Sequence, residues 1–156
     1  MNDNAHLTIA LDVLELAQSL DRRIDATEPI ARAWAECFAG QKVWPQEARD
    51  AVITHYRKPG AWPIMPGDIL AHCAIQPVYS SRDHAKYFLA YWATEPYSDA
   101  IEAHTGIRPP MVEAPEDLRG DERKKYLGEK LTDWVLENHE QLVDAIMERR
   151  WNPVTE

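Results

Sequence analysis

The stretch W-P-Q-E-A-R-D-A-V-I-T-H-Y-R-K-P-G-A-W-P-I-M-P-G-D-I-L-A-H-C, Trp44 to Cys73, decides the fold. It reads as a helix, an aromatic and proline-rich corner, and the start of a second helix. Pro45 suits a first helical turn, where its missing N–H has no intrahelical partner to lose. Ala48, Ala51, Val52, His55 and Tyr56 recur at i, i+3, i+4, i+7 and i+8, one face of a helix. Lys58-Pro59-Gly60 stops that helix. Trp62-Pro63-Ile64-Met65-Pro66 is too proline-rich to be helical and too apolar for a solvated loop. The corner is expected to fix the angle between its two helices, with Trp62 plugging the core. Pro66 opens the next helix, which runs to Ile75, with Asp68 in its first turn and Ile69, Leu70, Cys73 and Ala74 facing inward.

Upstream, residues 1–6 are polar and expected to fray. A long helix follows from Leu7 to about Ile24. Leu7, Leu11, Leu14 and Ala17 form one stripe, and Ile9, Val13, Leu16 and Leu20 a second beside it. So wide an apolar face predicts a central helix. Arg22-Arg23 is placed in its last turn, where cations suit the helix dipole. Thr27-Glu28-Pro29 restarts the chain as an N-cap and first turn, and Ile30, Ala33, Trp34, Cys37 and Phe38 follow at helical spacing. Gly40 suits the residue just past a helix end.

Downstream, Ser80-Ser81-Arg82-Asp83 has capping-box spacing. Ala85, Phe88, Leu89 and Trp92 face one way, and His84, Tyr87 and Tyr91 line a neighbouring stripe. Thr94-Glu95-Pro96 echoes the start signal at Thr27, and Gly106 closes the helix that follows. Residues 106–116 form the one plausible linker, stiffened by three prolines. From about Asp117 to Arg150 the chain reads as helix, ended by Trp151-Asn152-Pro153. Asn138-His139-Glu140-Gln141 could divide it in two, although the helical phase survives across that point. No alternating strand pattern of any length is present. The expectation is an all-α, compact multi-helix bundle. About four helices lie in an N-terminal domain (1–78) and three to four in an acidic C-terminal region (79–156).

Composition narrows the function. The formal charge of −9 argues against a duplex-DNA binder, which needs a basic footprint. Residues 1–78 hold 10 acidic and 7 basic residues, and residues 79–156 hold 16 and 10. The signs interleave in both halves, as on a solvated surface. Fourteen aromatics, six of them Trp, supply large side chains for a core. Cys37 and Cys73 lie on predicted apolar faces and are expected to be buried free thiols in a reducing cytoplasm. No apolar run is long enough to span a bilayer, and the first residues lack a signal-peptide pattern.

Chemical motifs are absent where catalysis would need them. There is no C-x-x-C, no H-E-x-x-H, no nucleophile elbow and no glycine-rich phosphate loop. His72 and Cys73 are adjacent, so on a helix they diverge by about 100°. Glu116-Asp117 and Asp121-Glu122 could pair for acid–base work, but the dipole alone favours acids at a helix start. No catalytic residue, metal site or cofactor is therefore expected. Basic clusters stand at Arg22-Arg23, Arg57-Lys58, Arg123-Lys124-Lys125 and Arg149-Arg150. A single-stranded DNA contact near Arg57 and Lys58 is one candidate, with aromatic side chains to stack on bases. The acidic C-terminal helices are the other candidate surface, since amphipathic helices beyond what a small core needs often dock in a partner's groove. Trp134, Glu137, Glu140, Asp144 and Glu148 are its named residues.

The order of a helix, then A-R-A-W-A-E-C-F, E-A-R-D-A-V-I-T-H-Y-R and W-P-I-M-P-G-D-I-L resembles the small all-helical proteins of bacteriophage replication modules, especially those of actinobacterial phages. More distantly it is similar to phage-encoded loaders of the replicative helicase. In that group a Trp in one helix, an A-V-x-x-H-Y helix and a P-x-D-I helix start build an N-terminal helical domain. Those features stand here as Trp34, Ala51 to Tyr56, and Pro66 to Ile69, within about residues 9–75. The resemblance implies a non-enzymatic cytoplasmic protein that binds a helicase hexamer, holds it inactive or open, and delivers it to single-stranded DNA. In the loaders a flexible C-terminal part engages the helicase, whereas ordered helices are expected here. The rival expectation is an acidic phage inhibitor that presents carboxylates to another host protein. Arg119, Arg123, Lys124, Lys125 and Lys130 interrupt those carboxylates.

Overall fold

The computed structural model describes residues 3–149. Among them lie eight α-helices and no strand, so the fold is all-α. The chain divides into two compact units, Met1–Pro77 and Val78–Glu156, each with four helices.

The first unit holds α1 (Asp3–Leu20), α2 (Glu28–Phe38), α3 (Pro45–Tyr56) and α4 (Pro66–Ala74). Both α2 and α3 pack on α1, and α4 packs on α2 and α3. The two stripes of α1 explain this, because Ile9, Ala10, Val13, Leu14 and Ala17 are all buried. Trp34, Phe38, Val43, Trp44, Ala48, Val52, Ile64 and Ile69 of the same unit are buried as well. Each of α2, α3 and α4 has a proline in its first turn. Gly40 adopts φ +72 just past α2, a left-handed conformation that glycine takes without strain.

Several expectations are corrected here. Residues 3–6 do not fray, because α1 already starts at Asp3 and His6 is buried. The helix stops at Leu20, so Arg22-Arg23 lies beyond it rather than in its last turn. The physical cause is Asp21, whose carboxylate accepts the Arg23 backbone N–H at 2.9 Å and turns the chain out of the helix. Cys37 is exposed, on the outer edge of α2, while Cys73 is buried and desolvation pushes its thiol up to about 11. Trp62 does not plug the core and is 82% exposed. Ile64 takes the inward position instead.

The second unit holds α5 (Arg82–Thr94), α6 (Ser98–Thr105), α7 (Gly120–Glu137) and α8 (His139–Arg149). Ser81 caps α5 by accepting the His84 N–H at 3.2 Å. Thr94-Glu95-Pro96 does not repeat the start signal of Thr27. Thr94 is the last residue of α5 and donates back to the Ala90 carbonyl, and α6 begins only at Ser98. Gly106, with φ +74, ends α6. The proline-rich segment after it packs within this unit: Pro109 is buried and Ile107 lies on the core. The long C-terminal helical region is two helices. Asn138 donates to the Trp134 carbonyl at 2.8 Å and its own carbonyl accepts from Leu142, so it ends α7 and starts α8. Leu89, Trp92, Ile101, Leu131, Val135, Leu142, Val143 and Ile146 form the core. Gly128 lets α7 approach the end of α5 closely, since a Cβ there would stand 2.6 Å from the Thr94 carbonyl oxygen. Trp151-Asn152-Pro153 lies outside the described residues.

Candidate functional site

The proline-rich corner of the first unit is built from the ends of α1 and α3. Helix α3 stops at Tyr56, and Gly60, with φ +64, reverses the chain. Trp62 and Met65 both precede prolines, which pushes them toward extended backbone. Met65 has φ −120 and ψ 159. The corner places Ile64 inward and leaves Trp62 and Met65 facing solvent, Met65 at 60% exposure.

One buried carboxylate holds this corner from beneath. Asp21 accepts from the Arg23 Nε at 2.8 Å, the Arg23 Nη2 at 3.1 Å and the Tyr56 hydroxyl at 2.8 Å, besides the Arg23 backbone. The Arg23 guanidinium, bonded to it in fork geometry, holds the Asp21 carboxyl well below the usual carboxylate range against the opposing effect of burial. Burial is the main cause that pushes the Tyr56 phenol up. Two further bonds reach the corner itself. Arg23 Nη2 donates to the Ala61 carbonyl at 2.8 Å, and the Tyr56 oxygen accepts the Ile64 N–H at 3.1 Å. His55 Nε2 stands 2.5 Å from the Trp62 carbonyl oxygen. A carbonyl can only accept, so Nε2 carries the proton. Asp68 accepts the Met65 N–H at 2.9 Å. The backbone on either side of Trp62 is thus tied at Ala61, Trp62, Ile64 and Met65, while the indole itself is displayed.

Such an arrangement suits binding rather than proton transfer. Asp21 is surrounded by donors and kept ionised, and His55 is committed to a backbone carbonyl. Arg57 and Lys58, the sequence-derived DNA candidates, are both exposed at the start of the same turn. Arg22, exposed beside Arg23, joins them. Sequence reasoning missed Trp62 as a surface residue because an apolar run normally seeks the core. The signal was its place among Gly60, Pro63 and Pro66, in a run where Ile64 and Pro66 turn inward and Trp62 and Met65 do not.

In the second unit the five residues named on the C-terminal helices separate. Trp134 is half-buried against the core. Arg82, in the first turn of α5, takes Asp144 at 2.7 Å and Glu140 at 2.8 Å. Its hydrogen bond to Asp144 is the main cause raising the Arg82 pKa. Glu137 and Glu148 are exposed and outside that clamp. The residue that sequence reasoning missed is Leu136, 66% exposed although Leu131 and Val135 of the same helix are buried. Glu122, Glu129, Asp133 and Leu136 are spaced seven, four and three residues apart, which sets them on one stripe of α7. All four are exposed. The missed signal was a leucine out of phase with the inner face.

No group of three metal-ligating side chains occurs among the described residues. Nor is any helix among them long and apolar enough to cross a membrane. No family model, curated protein or solved structure matches the chain.

Proposed function

We propose that this is a non-enzymatic phage replication protein that binds a replicative helicase in the host cytoplasm, as a loader or an inhibitor. Two things support the reading. The first is the resemblance carried by Trp34, Ala51 to Tyr56 and Pro66 to Ile69. The second, which carries the binding surface, is Leu136 standing exposed within the acidic stripe of α7 while the core beneath is filled by Leu131 and Val135. A leucine framed by Glu129, Asp133 and Glu137 fits a partner groove with an apolar floor and a basic rim. This is the helix-in-groove mode of recognition, with the carboxylates setting orientation and encounter rate.

The test mixes the full-length protein with the phage or host replicative helicase and follows both by size exclusion with light scattering. A stoichiometric complex is expected, together with altered helicase ATPase activity. Leu136→Glu should weaken the complex at least tenfold, because it removes the apolar anchor and places a charge in its pocket. No co-elution and an unchanged ATPase would overturn the proposal. The rival, an acidic inhibitor of another host protein, is weakened by Arg82, which pairs with both Glu140 and Asp144 and offsets one of their two charges. Capture of a different host protein through the same stripe, with no helicase binding, would establish that rival instead.

A further inference from the structure

The Trp62 corner has features that the helicase reading leaves unused. An indole that is 82% exposed normally finds cover in a core or an interface, since it carries a large apolar area. Here the backbone bonds at Ala61, Trp62, Ile64 and Met65 hold the corner against folding inward. The display of Trp62 is therefore built into the fold.

Charge tells what would cover it. Residues 1–77 are acidic on balance, yet Arg22, Arg23, Arg57 and Lys58 make up four of the seven bases there. All four follow directly on the two helix ends that hold the corner. Arg23 is paired with Asp21, but Arg22, Arg57 and Lys58 have no ion-pair partner among the described residues and are exposed. Of the acids at the corner, Asp21 is neutralised by Arg23, and Asp68 is bonded to the Met65 N–H. What remains is an exposed aromatic ring and three exposed cations on the segments that build the corner, with Asp68 the carboxylate there that keeps its charge.

We infer that the Trp62 corner is a binding site for single-stranded nucleic acid. A nucleobase stacks on the Trp62 ring, and Arg22, Arg57 and Lys58 hold the flanking phosphates. Stacking on an indole needs an unpaired base with an open face, so a duplex, whose bases already stack on each other, is a poor ligand. Stacking and phosphate contacts do not depend on base identity, so binding is expected to be largely indifferent to sequence. The inference is independent of the helicase proposal, and either can fail alone.

The experiment titrates full-length protein into a fluorescein-labelled oligothymidylate of about twelve nucleotides and follows anisotropy from about 50 to 200 mM salt. Binding is expected to weaken with salt on a logarithmic slope of about −2, the value for three phosphate contacts on a single strand. An unlabelled duplex of the same length should compete poorly. Trp62→Ala should weaken binding roughly ten- to hundredfold, and Trp62→Phe should keep most of it. Arg57→Ala with Lys58→Ala should lower the salt slope by about 1.4. Because Trp62 is solvent-exposed, circular dichroism of the variants should match the wild type. No binding at the lowest salt, or a Trp62→Ala variant that binds like the wild type, overturns the inference. So does a Trp62→Ala variant that keeps its DNA affinity and loses helicase binding, which would make the corner a protein surface.

Discussion

Tyr56→Phe tests whether the corner is held as its hydrogen bonds indicate. The substitution removes one oxygen and keeps the ring, including its edge contact with His55 at 4.9 Å between centroids. That oxygen does two things: it donates to Asp21 at 2.8 Å and accepts the Ile64 N–H at 3.1 Å. Asp21 retains the Arg23 donors, so the main loss falls on Ile64. Ile64 is fully buried, which keeps water from replacing the lost acceptor. A buried amide without a partner costs about 1–3 kcal/mol. We expect a loss near 2 kcal/mol in denaturant unfolding of the first unit, and faster exchange of the Ile64 amide by roughly thirtyfold if it exchanges through the same opening. The far-ultraviolet spectrum should not change. A stability within about 0.5 kcal/mol of wild type, with the Ile64 amide equally protected, would refute the anchoring role of Tyr56. It would also remove the reason for regarding the Trp62 display as fixed.

The glycine pair gives a test by opposite signs. Gly128→Ala should destabilise the second unit by about 1–2 kcal/mol in thermal unfolding, since its Cβ meets the Thr94 carbonyl and the helix-propensity gain offsets only part of that strain. Gly67→Ala, in the first turn of α4 with open space around it, should instead stabilise by about 0.4–1 kcal/mol. Acid should act through Asp21. Its folded pKa is depressed, so its contribution is fully present above the ordinary carboxylate value of about 4 and is lost as pH falls below that toward the folded value. Asp21→Asn should therefore flatten the acid side of the stability profile between about pH 4 and 2, measured by urea midpoints, and an unchanged slope would show that Asp21 is not the group responsible.

Helix starts and stops were legible where a proline or a glycine marks them, and not at the ends of α1 or the start of α6. Proline in the first turns of α2, α3 and α4, and left-handed glycine at Gly40 and Gly106, act within a few residues of where they stand. At Asn138 the sequence left one helix or two open; the side chain closes α7 on the Trp134 carbonyl and the backbone carbonyl starts α8. The errors arose where a residue's fate depends on a distant partner. Arg23 reads as a dipole-compensating cation until Asp21, Tyr56 and the Ala61 carbonyl are brought to it across up to 38 residues. Glu140 and Asp144 read as a free acidic face until Arg82, about 60 residues earlier, reaches them. Trp62 was misplaced because hydrophobicity predicts burial on average, whereas Pro63 and Pro66 dictate which residues of this corner can turn inward.

The net charge of −9 opposes a nucleic-acid site at long range, and the resolution is a matter of range. At physiological ionic strength the Debye length is about 8 Å, so an exposed phosphate senses mainly the charges of the surface it touches. At the Trp62 corner those are Arg22, Arg57 and Lys58 against Asp68, with Asp21 already neutralised by Arg23. At about 0.01 M salt the length grows to about 30 Å, and carboxylates far from the corner enter the balance. Whole-molecule charge therefore decides encounter at very low salt and local charge decides binding near physiological salt. A sequence-level charge count speaks only to the first. The decisive feature is instead the pairing pattern: of the bases that follow α1 and α3, one is used to lock the turn, and three have no ion-pair partner among the described residues on the segments that hold an indole in solvent.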